Sequence, residues 1–171
     1  LYFKYTNNQF IHHEEQIDLI PSNIELADFE LKLVSIVNRE RVLDMCLNPL
    51  KQHYAYILID CPPSFGMLTI NALSAADNIL IPVQAQYLPA KGMTKLLNTI
   101  GKVKHQINPK VDILGVAITL ANMQTNLGKS TVETIRENYG KHIKVFNSII
   151  PIGVKAAETS VSGKSVYQHA K

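Results

Sequence analysis

The stretch YILIDCPPS, Tyr56–Ser64, decides the fold class. In the longer run YAYILIDCPP the apolar residues are continuous rather than alternating, which predicts a strand covered on both faces. Strands covered on both faces belong to parallel sheets flanked by helices. Asp60 stands at the carboxyl end of this strand, where open α/β sheets bind their ligands. A carboxylate there, beside a phosphate loop, can hold a magnesium ion or its waters. Pro62 and Pro63 stiffen the outgoing loop. On the residues alone, an aspartate that merely caps a loop is the open alternative.

Working outward, the same alternation of short apolar runs and helical periods continues. Upstream, QIDLIPS reads as a strand ending at Pro21, and SNIE as a capping box of Ser22 and Glu25. A helical pattern follows through Leu47, with a bend near Asn38 and a stop before Pro49. Downstream, LTINALSAAD is a short helix and NILIPV a second buried strand. A long amphipathic helix opens at Pro89. VDILGVAITL is a third strand, and NLGKSTVETIRENYG a helix with Asn126 as N-cap and Gly140 as stop. IKVFNSIIP is a fourth strand, and the tail starts helical and then loosens. Alternating strands and helices imply a single α/β domain over residues 1–171, a mostly parallel sheet with helices on both faces.

Composition agrees. The chain has 171 residues, 46% hydrophobic and 18% charged, which is globular rather than disordered. No apolar run is long enough for a membrane span, and no signal-peptide pattern opens the sequence. Cys46 and Cys61 form neither a disulfide framework nor a zinc pattern; Cys61 reads as buried filler. HHEE, His12–Glu15, reads as solvent-exposed rather than as a metal site. Residues 1–90 hold five Lys/Arg against ten Asp/Glu, net −5, and residues 91–171 hold twelve against four, net +8. A basic half of that kind is either a solvated surface or the footprint of a sequence-neutral DNA binder.

Two stretches imitate a phosphate-binding loop: Gly128-Lys129-Ser130-Thr131 and Gly163-Lys164-Ser165. A P-loop needs a further glycine five residues before its Gly-Lys pair. Met123 and Glu158 stand at those positions, so neither stretch is expected to bind a triphosphate.

The segment YAYILIDCPPSFGMLTINALSAADNILIPVQAQYLPAKGMTKLL resembles the Walker B and switch II region of the ParA/Soj partition ATPases, which are deviant-Walker P-loop ATPases related to MinD. The likeness runs in order and spacing from IDLIPSNIELADFE to IIPIGVKAAETSVSGKSVYQHAK, almost the whole chain. Pro-Pro-Ser after the aspartate favours the partition branch over MinD, which usually carries Pro-Ala-Gly there. The family's Lys-Gly-Gly-Val-Gly-Lys-Thr loop and switch I aspartate do not occur in these residues. The resemblance thus implies a C-terminal portion of a P-loop NTPase-like fold, incomplete at the N-terminus. The intact protein would be an ATPase, whereas these residues alone would not hydrolyse ATP.

The resemblance also implies roles. Asp60 matches the Walker B aspartate, acting on Mg2+ through water, with Pro62 and Pro63 in the adjoining loop. Pro151, Ile152 and Gly153 match a loop that packs on adenine, and Thr119 to Asn122 its other wall, although ordinary strand-end turns fit these residues equally well. Lys155 keeps the charge of a family DNA-binding position, and Lys129, Lys164, Arg136 and Lys141 would add to it as DNA-binding residues, although a solvated face is the alternative for each single lysine. Two usual basic positions are neutral here, at Gln124 and Ile152. The intact protein would bind ATP and Mg2+, form a homodimer, contact DNA nonspecifically and answer to a ParB-like partner. Its place would be the bacterial cytoplasm at the nucleoid, with no membrane contact. The alternatives are a MinD-like membrane-associated ATPase, or a nonenzymatic DNA-binding or interaction module. An unpaired central strand is expected to drive self-association.

Overall fold

The computed structural model describes residues 10–62, 64–85 and 90–169, with residues 90, 91, 155, 160 and 162 described by their backbone alone. The chain forms two compact units. One comprises residues 1–76 and 99–110, the other residues 77–98 and 111–171.

The first unit opens on an antiparallel hairpin of β1 (Ile11–His13) and β2 (Ile17–Leu19), paired Ile11 to Leu19 and His13 to Ile17. β2 is the strand expected before Pro21; β1 lies in a stretch without visible period. Helix α1 (Glu25–Leu33) follows. Its first turn is not closed by a Ser22–Glu25 capping box: Asn23 Oδ1 accepts the Glu25 amide at 2.9 Å instead. The bend falls where expected, with Asn38 in the left-handed region at φ 57°. A 3-10 turn over Arg39–Arg41 leads into α2 (Val42–Leu47), and a second over Asn48–Leu50 carries Pro49.

Helix α3 (Met67–Ala75) has six buried residues, Thr69 and Asn71 through Ala75, so it is covered nearly all round. Two asparagine side chains, one of its own and one from beyond it, bond to backbone groups in and around it. Asn71 donates to Arg39 O and Met67 O and accepts the Leu43 amide at 3.0 Å, which locks α3 to α2. Asn108 Nδ2 donates to Leu73 O, Ser74 O and Ala76 O, taking the carbonyls that the end of a helix leaves open.

The second unit holds a parallel three-stranded sheet in the order β3 (Asn78–Gln84), β4 (Asp112–Ala121), β5 (Val145–Pro151). These are three of the expected strands, in the expected sense. Alternate residues Ile81 and Val83 of β3 are buried, as are Val116 and Ile118 of β4. Helix α5 (Asn126–Tyr139) adds Thr131, Val132 and Ile135 to this core. Gly115 sits at a bulge with φ +153°, and a Cβ there would press on the Phe146 ring and the Lys144 carbonyl. α4 (Ala90–Gln106) divides between the two units, burying Met93 in one and Ile100 and Val103 in the other. Its expected opening residue, Pro89, lies outside the described residues. α6 (Val154–Ser162) and α7 (Val166–His169) complete the unit.

One expectation is overturned. Residues 54–62 do not form a strand covered on both faces. Tyr56 is 87% and Leu58 93% exposed, while Ile57 and Ile59 are half-buried. A strand exists only as part of a ladder, and no described segment pairs with this one. The apolar run therefore stays outside any ladder, with Ile57 and Ile59 partly covered and Tyr56 and Leu58 open.

Candidate functional site

Asp60 ends this apolar run and is exposed. Among the described residues its carboxylate accepts no hydrogen bond and joins no ion pair. Its charge acts on its neighbour: the Cys61 thiol is pushed up, first by partial burial of the sulfur and then by the Asp60 carboxylate. Cys61 itself is exposed, so it is not the buried filler expected, and its thiol donates to Ile59 O at 3.7 Å.

The loop beyond Asp60 is fixed by short contacts. The Ser64 amide donates to Pro62 O at 2.7 Å, and Thr69 Oγ1 donates to Ser64 O at 2.6 Å. Pro63 lies outside the described residues. Gly66 caps α3 without a side chain, and the Leu68 amide in the first turn donates to Glu30 Oε1 of α1 at 3.3 Å. No group of three or more His, Cys, Asp or Glu side chains able to hold a metal ion occurs among the described residues. A single free carboxylate suits a magnesium ion held through water rather than a direct cage.

In the second unit the structure brings together the expected adenine-side residues. Ala121 pairs with Pro151 in the β4–β5 register, and the Ile152 amide donates to Ala121 O at 3.3 Å. Asn122 and the Pro151–Gly153 turn are therefore neighbours at the carboxyl ends of two parallel strands. Leu120 takes a left-handed φ of 50° there, at a register shift. Bulky residues rarely adopt this region. Thr119, one turn of the pleat earlier, is tied into the sheet: its carbonyl accepts the Ala85 amide at 3.0 Å and its hydroxyl donates to Val83 O at 3.4 Å. Asp60 belongs to the first unit and these residues to the second.

Both Gly-Lys-Ser stretches prove to be helix boundaries. The cap of α5 is Thr125, not Asn126: Thr125 Oγ1 accepts the Gly128 amide at 3.1 Å. Gly128 packs on the Asn122 carbonyl, which leaves no room for a Cβ. Thr131 Oγ1 donates back to Leu127 O at 2.8 Å. The Gly128 amide that a P-loop would offer a phosphate is thus engaged within the chain. Gly163, at φ 66°, is the left-handed stop of α6, and Ser165 Oγ accepts the Gln168 amide in α7.

The expected basic residues are partly engaged. Lys129, Lys141 and Lys164 are exposed, and the Lys155 side chain lies outside the described atoms. Arg136 is committed to the fold, donating to Asn147 O of β5 at 3.0 Å. Lys144, which sequence reasoning passed over, sits 4.8 Å above the Phe146 ring. Glu30, Asn71 and Asn108 were also missed, because their partners lie far away in sequence.

Comparison with known proteins adds to this geometry. A family model described as an AAA domain matches residues 3–113. The sporulation initiation inhibitor protein Soj of Bacillus subtilis is 41% identical over 152 residues, 89% of this chain and 59% of Soj. The chromosome partitioning protein ParA of Myxococcus xanthus is 39% identical over 150 residues, 88% of this chain and 52% of ParA. The chain therefore spans only 52–59% of these two relatives. Among solved structures, the cobyrinic acid a,c-diamide synthase of Mycobacterium smegmatis with bound ATP analogue and magnesium matches with a TM-score of 0.80 at 28% identity, over 92% of this chain and 69% of that one.

Proposed function

Because this chain belongs to the AAA-domain family that includes the ParA and Soj proteins, we propose that the intact protein is a DNA-partition ATPase. It binds ATP with Mg2+, forms an ATP-dependent homodimer, holds DNA without sequence preference and releases it when a ParB-like partner stimulates hydrolysis. The carrying observation is the 41% identity to Soj over 89% of the chain, which includes the apolar run ending in Asp60-Cys61-Pro62.

In this reading Asp60 would hold a magnesium ion through water, and the ion would supply charge neutralisation for phosphoryl transfer. Thr119, Asn122 and the Pro151–Ile152–Gly153 turn offer backbone groups to adenine, and Pro62 and Pro63 keep the loop beyond Asp60 stiff. Lys129, Lys155 and Lys164 supply phosphate contacts to DNA; with Gln124 and Ile152 neutral, fewer phosphates are neutralised, so binding is weaker and its salt dependence shallower than with both positions basic. No Gly-x-x-x-x-Gly-Lys-Ser/Thr loop occurs within these 171 residues. No helix of the described residues is long and apolar enough to cross a membrane. The protein works in the cytoplasm, at the nucleoid.

The test is steady-state ATP turnover of the intact gene product with and without Asp60→Ala. Loss of one preorganised electrostatic contact of this kind lowers turnover by on the order of 10²-fold. Equal turnover in the two proteins would sink the assignment of Asp60.

A further inference from the structure

We infer that Glu30 is a positioning residue for the loop that carries Asp60. The inference rests on the reading of Asp60 above. Helix α3 begins without a cap of its own: Gly66 has no side chain, and no acidic residue lies in the first turn. A helix start in that condition leaves amides open and favours a negative charge. Glu30, 38 residues upstream in α1, supplies both by accepting the Leu68 amide at 3.3 Å.

Gly66 is the other half of the device. A Cβ at this position would collide with the Glu30 carboxylate, so the glycine is the slot into which the carboxylate fits. From this anchor the chain runs back through Thr69 Oγ1 on Ser64 O and the Ser64 amide on Pro62 O, two residues from Asp60. Since the Asp60 carboxylate has no partner of its own among the described residues, its position follows that of this backbone. Glu30 acts by holding the loop.

The experiment compares Glu30→Ala, Glu30→Gln and Gly66→Ala in the intact gene product. The first readout is the Mg2+ concentration giving half-maximal ATP turnover. The second is independent of activity: hydrogen exchange at the Leu68 and Ser64 amides, with residue-resolved alkylation of Cys61 beside Asp60. Glu30→Ala is expected to raise the Mg2+ requirement by about tenfold, the lower end for residues that support a metal ligand. It also speeds exchange at both amides and alkylation of Cys61. Glu30→Gln, which keeps an acceptor oxygen, stays close to wild type. Gly66→Ala, whose methyl group displaces the carboxylate, reproduces Glu30→Ala, and the double variant is no worse than either single one. Faster exchange at Leu68 with Ser64, Cys61 and the Mg2+ requirement unmoved would overturn the inference, because Glu30 would then only cap a helix. If the wild type hydrolyses no ATP, the reading of Asp60 fails, and the exchange and alkylation data alone decide whether Glu30 holds the loop.

Discussion

At the scale of single residues, glycine carries the clearest information. Gly128 and Gly66 look alike in sequence, each opening a helix, but their neighbours differ in kind. A Cβ at Gly66 meets the flexible end of a glutamate, whereas at Gly128 it meets the rigid Asn122 carbonyl. Gly128→Ala is therefore expected to destabilise the fold by about 1–3 kcal/mol, the usual cost of overpacking. Lys129→Ala, beside it, should leave both stability and nucleotide affinity unchanged. Thermal unfolding and a nucleotide titration of the intact protein check the pair. A loss of nucleotide affinity in Lys129→Ala would restore this stretch as a phosphate site. Spacing alone had already removed it, since Met123 stands where the first glycine belongs. The structure adds the reason the glycine is there.

At the scale of elements, the β1–β2 hairpin depends on a side-chain clasp. Asp18 Oδ1 meets His12 Nδ1 at 2.5 Å across the strands, and Tyr54 donates its hydroxyl to Asp18 Oδ2 at 2.6 Å. The Tyr54 hydrogen bond, and after it His12, hold the Asp18 carboxyl below its ordinary 3.8. The bond to Asp18 raises the Tyr54 phenol above 10.0. A depressed acid stabilises above its unfolded value and loses that contribution as pH falls through the folded one. A raised phenol stabilises below its unfolded value and loses that contribution as pH climbs through the folded one. The clasp is thus whole at neutral pH and opens beyond the alkaline titration of Tyr54. Amide exchange of the hairpin followed past that point should accelerate in wild type, whereas Tyr54→Phe should exchange faster already at neutral pH and lack the alkaline step. An identical alkaline step in Tyr54→Phe would refute the clasp. The sequence announced β2, through QIDLIPS, but not β1 or its pairing with β2. All six strand residues are exposed, so no alternation of apolar and polar positions exists to be read. Its turn uses Gln16 at φ 60°, a residue without turn signature. The strands β3, β4 and β5 were legible because each is a short run rich in apolar residues, buried in β3 and β4 and partly covered in β5, and α5 because Gly140 marks its end.

At the scale of the whole molecule, the error at residues 54–62 is as instructive as the successes. Apolar content there predicts burial, and burial requires a neighbour that local sequence cannot supply. β3 likewise has β4 on one side and no strand on the other among the described residues. Open ladder groups and exposed apolar side chains template pairing with another chain. Burying one side chain such as Leu58 contributes about 1.5–3 kcal/mol. The isolated 171-residue chain is accordingly expected to self-associate with rising concentration, as sedimentation velocity would show, and Leu58→Lys to weaken the association. A monomer at every concentration would contradict it. The candidate site divides along the same line. Asp60, Asn122 and the Pro151 turn were legible as residue patterns at strand ends, but what holds the loop after Asp60 was not, because Glu30 bonds across 38 positions.

The cap that Asn108 places on α3 has a consequence in time. Its three carbonyl partners lie 32 to 35 residues earlier in the chain. A chain made from its N-terminus completes α3 well before it makes Asn108. During that interval the last turn of α3 has only water for its open carbonyls, and the helix can fray from that end. The loop leading away from Asp60 runs into this same helix, so its final rigidity waits on a side chain that the ribosome has yet to add.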